Sequence, residues 1–423
     1  MLGELALGRK TGHGAVGAYQ SISKRFKWLG WLGIAAAALI FSFYSALGGY
    51  CLRYVVVNFG NLIGAEFGTN GVGGADVFQG LLSQPDVSIA FALAFMLITM
   101  LVVMSGVGGG IERVCSVGMP ALFFILIICI IRSCTLPGAV DGLKYMFVPG
   151  WAVANGIIDE APGFWRVLTA AGGQMFFSLS LGAGVMITYG SYLDKKQDLG
   201  KSTMIIVGMD TVVALMAGLC VIPGRFALDP NGALGGPELL FITMQNVFDK
   251  MGPAGPVFGI LFYLLVFFAA ISSSISMLEV IVAHFCDKAR EKGKGDRRKL
   301  YSAIAVVICA ALCALVCADG MGSNHISPAE LLGLAGAKLP GWSTSWLGLF
   351  DSVAEGLLMP LGALLMCLMI SWELKPDTLR QEILLNGENR PWVYDFFRLC
   401  VKYITPLCML MILYGQISDF FLV

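Results

Sequence analysis

The chain has 423 residues, of which 57% are hydrophobic and 13% charged, with a mean hydropathy of +0.78. Soluble globular proteins carry charge on roughly 25% of their residues, so this composition excludes that class and describes a polytopic membrane protein. Lys plus Arg and Asp plus Glu balance at 28 each, so no global field recruits nucleic acid and each charge matters by its position.

Residues 1–8, MLGELALG, read as the last two turns of a helix. They have no basic beginning, long apolar core or small-residue cleavage site, so they are not a signal peptide, and sequence is expected before Met1. The polar and basic stretch 9–27 leads into a first complete span at 28–58. Glycine and polar residues fill 60–85, and 88–104 forms a second span near the minimum length, because roughly 17 to 25 residues cross the hydrocarbon. The stretch 106–120, GVGGGIERVCSVGMP, is expected to be a short turn before a third span that ends at 134. Its glycines do not make a phosphate loop, which needs a strand before it and an amphipathic helix after it. A longer polar segment occupies 136–163.

Residues 170–192, AAGGQMFFSLSLGAGVMITYGSY, have the length and apolarity of a membrane helix but carry Ser178, Ser180 and a Gly182-Ala183-Gly184 break near the middle. Backbone groups freed at that depth must be satisfied by protein or ligand, so an interrupted helix is tolerated only where it lines a cavity. Two half-helices present a positive N-terminal end and a negative C-terminal end, which suits a ligand with a carboxylate and an accompanying cation. Glycine alone would equally suit a packing kink, and the two flanking hydroxyls favour a binding site.

The charged loop 193–201 precedes a fifth span at 202–222, expected to close at Pro223, with Asp210 inside it. A lone carboxylate in a span is expensive and is by default functional. The loop 224–252 holds an apolar patch at 239–242 expected to form a small re-entrant helix. The sixth span, 253–285, contains AAISSSIS, whose serines on their own read as hydroxyls bonding back to the preceding turn. Spans at 301–318, 347–372 and 392–422 complete nine. The 12 cysteines are scattered, so no disulfide framework is implied; Cys309, Cys313 and Cys317 share one helical face without a histidine and read as small packing residues. One alternating set of connections holds 21 of the 28 Lys and Arg residues, which places that set in the cytoplasm and Met1 outside or within the membrane.

Together GQMFFSLSLGAG with TYGSY, the GIER…MP turn, AGLCVIP, GPELLFITMQNVF, FFAAISSSISMLE and KYITP resemble the neurotransmitter:sodium symporter family, in particular its bacterial amino-acid transporters. The resemblance covers almost the whole chain. It implies an all-α inverted-repeat fold in which 1–8 is the end of the second family helix, 28–134 the third to fifth, 163–372 the sixth to tenth and 392–422 the eleventh, all within one transmembrane domain. The family stretch NIWRFP occurs nowhere, so the first repeat is expected to be incomplete and each of two sodium sites to lack ligands from the first helix.

The resemblance makes Ser178 and Asp210 ligands of the first sodium ion, and the Ala269 carbonyl with the Ser272 and Ser273 hydroxyls ligands of the second. Hard oxygens of this kind suit an alkali cation. Tyr44 would bond the substrate carboxylate and Phe177 close over the substrate, while Ile40, Ser180, Ala183, Ser273 and Met277 would line its pocket. Asp351 resembles the outer gate acid and Asp287 the inner one, with their arginine partners upstream of Met1. The implied activity is sodium-coupled symport of an amino acid across the bacterial plasma membrane. Apolar Ile40 and Met277 beside the small Ala183 suggest a large apolar or aromatic substrate. Asp210 stands where asparagine is often found, and its fixed charge would replace bound chloride.

Three rivals have discriminating features. An intramembrane serine hydrolase would need a histidine one turn from a serine, but His284 is more than ten residues from Ser272 and Ser273, and His13 and His325 lie in expected loops. A proton-coupled transporter would use Asp210 as a relay and need no sodium. A non-transporting fragment would insert without binding a ligand.

Overall fold

In the computed structural model the description covers every residue except 70, 234, 296, 335–338, 375–377, 385–390 and 422–423. Lys338, Lys375, Arg390 and the end of the ninth expected span at Leu422 therefore lie outside the described residues. Among the described residues there are helices and no strands.

Helices α1 (Leu2–Thr11) and α2 (Ala15–Ile22) precede the long α3 (Lys27–Ile63). The short α4 (Gly74–Leu82) leads into α5 (Pro85–Met104), and a turn of π-helix at Val107–Ile111 continues directly as α6 (Glu112–Cys134). Then come α7 (Ala139–Phe147), α8 (Trp151–Ala154), α9 (Phe164–Ser178), α10 (Val185–Gly190) and α11 (Leu199–Leu228). Helices α12 (Gly236–Glu238) and α13 (Met244–Lys250) flank a π-turn at Leu239–Thr243, and α14 (Gly255–Glu291) and α15 (Arg298–Asp319) follow. After α16 (Pro328–Leu331), α17 (Trp346–Asp351) and α18 (Met359–Leu368) are joined through the π-turn Ser352–Leu358 and extended by another at Met369–Glu373. The chain closes with α19 (Arg380–Ile383), α20 (Pro391–Leu399), the π-turn Cys400–Ile404 and α21 (Thr405–Phe421). Among the described residues eight helical stretches are long and apolar enough to cross a membrane, and α9 with α10 forms the interrupted ninth.

Three boundaries differ from the sequence reading. The expected turn at 106–120 is confined to Ser105 and Gly106, whose φ of 81° only glycine adopts easily. The glycines after it serve close approach: a Cβ on Gly110 would lie 2.1 Å from the Val102 carbonyl oxygen. Pro223 does not end the fifth span, because α11 continues to Leu228. Proline lacks the N–H that would reach the Leu219 carbonyl, and the Cys134 thiol of α6 donates to that oxygen instead, at 3.8 Å. The basic segment 9–27 contains a packed helix, with Ala15, Val16, Ala18 and Tyr19 buried against Gly30 of α3 and its surroundings.

Among the candidate spans α3 is the most buried and α11 the least. Small residues let α3 approach its neighbours: a Cβ on Gly49 would sit 2.5 Å from the Ala92 nitrogen of α5, and one on Gly48 would strike the Phe95 ring. Toward one end of α3, Tyr50 and Tyr54 surround the buried ring of Phe241, which also stacks on Phe78 and Tyr263. The expected apolar patch at 239–242 is thus helical, with Phe241 as its inserted anchor.

These glycines give a paired test. Gly49→Ala forces α3 from α5 and should cost about 1–3 kcal/mol, whereas Gly208→Ala, on open α11 with nothing within 4 Å, should leave the thermal midpoint in detergent unchanged or slightly raised. Equal midpoints for both variants would contradict close α3–α5 packing.

Candidate functional site

The interrupted helix breaks over residues 179–184, wider than the glycine pair alone suggested. Ser180, Gly182 and Gly184 all have left-handed backbones, with φ of 50°, 77° and 74°. Such a conformation costs a serine about 1 kcal/mol, so the surroundings must hold it. They do so on several sides. A Cβ on Gly182 would lie 2.1 Å from the Met359 carbonyl oxygen of α18, and one on Gly33 of α3 would lie 3.2 Å from the Ala183 carbonyl. The Leu181 N–H closes on the Phe176 carbonyl at 3.0 Å, and the Gly182 N–H donates to Oε1 of Glu4 at 2.9 Å. Glu4, on α1, is buried, and sequence reading passed over it as part of a helix end.

At the end of α9 the Ser178 hydroxyl donates to Asp210 Oδ1 of α11 at 2.7 Å. Thirty-two positions apart in sequence, the two candidates for the first cation site are thus in direct contact on an open face of the bundle. On α14 the Ser272 hydroxyl donates to the Ala269 carbonyl at 2.8 Å, which gathers two candidates for the second site on one turn. Ser273 is exposed and lies near the phenol of Tyr44 on α3. The remaining serines pack as the simple reading had it: Ser274 bonds back to the Ile271 carbonyl and meets Thr99 at 2.8 Å, and Ser276 bonds back to Ser272. Ile40, Ala183 and Met277 are buried in one apolar cluster, with Tyr44, Phe177 and Ala269 packed against it. Ser180 lies within the break itself.

The two gate candidates sit apart. Asp287, near the end of α14, accepts the Gly14 N–H at 2.8 Å, with His13 Nδ1 3.9 Å away and Arg290 at 4.0 Å. Asp351 ends α17 with Glu355 as its acidic neighbour one turn on, a partner the sequence reading did not name. His284 packs edge-on to Trp31, far along α14 from the serines.

A second polar network was also missed. Arg298 at the start of α15 grips Glu279 of α14 through two bonds, at 2.6 and 3.0 Å, and the Tyr192 hydroxyl donates to the same carboxylate at 2.6 Å. One turn away the Tyr189 and Ser276 hydroxyls meet at 2.8 Å. This ties the second half of the broken helix to α14. The signal was present, since Glu279 is a carboxylate in a span just as Asp210 is.

An interrupted membrane helix held by its neighbours, ending its first half on a hydroxyl–carboxylate contact, is the architecture of an ion-coupled secondary transporter rather than an enzyme. The chain aligns with MhsT, solved in complex with L-phenylalanine, at 31% identity and a TM-score of 0.80, covering 98% of this chain and 87% of that one. An uncharacterized sodium-dependent transporter, YhdH, of Bacillus subtilis is 35% identical over 99% of this chain and 86% of its own length. Another, MJ1319 of Methanocaldococcus jannaschii, is 27% identical over 90% and 73%. The protein belongs to the Sodium:neurotransmitter symporter family, whose family model matches residues 75–421. It is a sodium-coupled transporter of a small molecule, with the multi-pass helical fold of that family.

Glu4 supplies a direct test of how the break is held. Glu4→Ala removes the acceptor for the Gly182 N–H and should lower stability by about 1–3 kcal/mol, while Glu4→Gln keeps a carbonyl oxygen there and should recover most of it. Thermal unfolding in detergent reads the difference; identical losses for the two variants would show that the hydrogen bond is not what matters.

Proposed function

We propose that the protein takes up a large apolar or aromatic L-amino acid across the plasma membrane, driven by two sodium ions and without chloride. The observation that carries this reading is the contact between Ser178 and Asp210, a hydroxyl and a carboxylate brought together where the helix breaks. An alkali cation is held by such hard oxygens. The first ion would take Ser178 and Asp210, the second the Ala269 carbonyl with Ser272 and Ser273. Tyr44 would receive the substrate carboxylate, Phe177 would cover it, and Ile40, Ser180, Ala183 and Met277 would surround its side chain. The L-phenylalanine bound by MhsT supports the substrate class. Asp287 and Asp351 would act in the inner and outer gates.

Asp210 adds an electrostatic argument. Two cations in a poorly polarisable site repel each other by a few kcal/mol at an effective dielectric near ~20, and a fixed carboxylate offsets that repulsion without a bound anion. Substrate discrimination by the apolar wall is weaker, roughly 1–3 kcal/mol per methylene-sized change.

In proteoliposomes, uptake should require an inward sodium gradient; equal uptake with potassium in its place would point to Asp210 as a proton relay and overturn the reading. Asp210→Asn should raise the sodium concentration needed for half-maximal uptake by about tenfold or more. Replacing chloride by gluconate should change nothing, and a loss of uptake on that exchange would remove the charge-substitution role. Ala183→Phe should shift preference toward smaller amino acids, an outcome read from competition by glycine and alanine against phenylalanine.

A further inference from the structure

Cys129 of α6 and Cys220 of α11 are both buried and lie beside each other where the two helices meet. They line a small cavity with Ser133 and Gly224. The neighbouring Cys134 is engaged differently, through its bond to the Leu219 carbonyl that Pro223 leaves free, and that bond shows how closely the two helices approach at this level. We propose that Cys129 and Cys220 are a disulfide-forming pair that clamps α6 to α11.

Three features favour this pair over the other cysteines. First, it joins two helices. Cys313 and Cys317 also touch, but positions one turn apart on one helix hold their Cβ atoms about 5–6 Å apart, beyond the roughly 3.5–4.5 Å that a disulfide spans. Second, the Lys and Arg bias puts the N-terminal ends of α6 and α11 in the cytoplasm, so both thiols lie within a few turns of the outer ends, on the side where disulfides persist. Third, α6 and α11 are the two least buried candidate spans, so little other packing holds them in place. The bond would close about 90 residues of chain into one loop. It would also fix one end of the helix whose middle carries Asp210, so the redox state would set how far α11 can move from α6.

The step balances with an organic disulfide as oxidant. One protein thiolate attacks a sulfur of the reagent, giving a mixed disulfide and releasing the first reagent thiol. The second protein thiolate then attacks the protein-bound sulfur and expels the other reagent thiol, so two electrons pass to the reagent and both protons leave the protein thiols.

The test uses the whole chain in lipid nanodiscs, treated with dipyridyl disulfide, then alkylated, digested and analysed by mass spectrometry. A peptide linked through Cys129 and Cys220 is expected, cleaved by dithiothreitol, lost in Cys129→Ser and in Cys220→Ser, and retained in Cys134→Ser. The linked form should unfold several degrees higher than the reduced form. Recovery of Cys129 and Cys220 as free thiols or as separate mixed disulfides, once exposed Cys408 has reacted completely, overturns the proposal. So does a linkage from Cys134 to Cys220 in place of the expected one.

Discussion

The structure is governed by the absence of water from the hydrocarbon, where every backbone N–H and C=O must find a partner within the protein. An unbroken helix meets this demand by itself. The break at 179–184 does not, and the surrounding architecture follows from that deficit: Glu4 of α1 takes the Gly182 N–H, α18 and α3 close on the glycines, and α9 ends on a serine beside an acid. At Pro223 the same demand is met on a smaller scale by a cysteine thiol. In both places the chain keeps an irregular backbone only because a side chain from another helix completes it.

Charge follows the same logic. Glu279 is wholly buried, and an isolated carboxylate there would be far more costly than the pair it forms with Arg298 and Tyr192. The result is a rigid joint linking α10, α14 and α15. Beside the break the oxygens are arranged otherwise: Ser178 and Ser273 are exposed, and Ser178 meets a half-buried Asp210 with no cationic side chain paired to it among the described residues. One acid network therefore fastens three elements together, while the other is a single contact between α9 and α11.

Most of this was legible in the sequence where one local pattern decided it. Spans follow from apolar length, and the break from serines and glycines in the wrong place. The misreadings arose where glycine and proline serve packing rather than chain reversal. Gly110 and Pro223 look like turn residues, yet each sits in continuous helix because a neighbouring element approaches it. Helix α2 was hidden because its apolar residues are framed by basic ones on both sides. Glu4 was legible as a residue but not as a partner, since its role depends on a glycine 178 positions away.

Among the described residues five π-turns fall within four helical stretches, at Val107–Ile111, Leu239–Thr243, Ser352–Leu358, Met369–Glu373 and Cys400–Ile404. Such a turn accommodates one residue more than an α-helical turn, so the angular bearing of every later side chain is rotated by about 100° relative to an uninterrupted helix. Two faces that a helical wheel would merge are thereby kept distinct within one rod. Across the turn at Ser352–Leu358 this phase slip means that the azimuth of Met359 cannot be inherited from Asp351 on its far side.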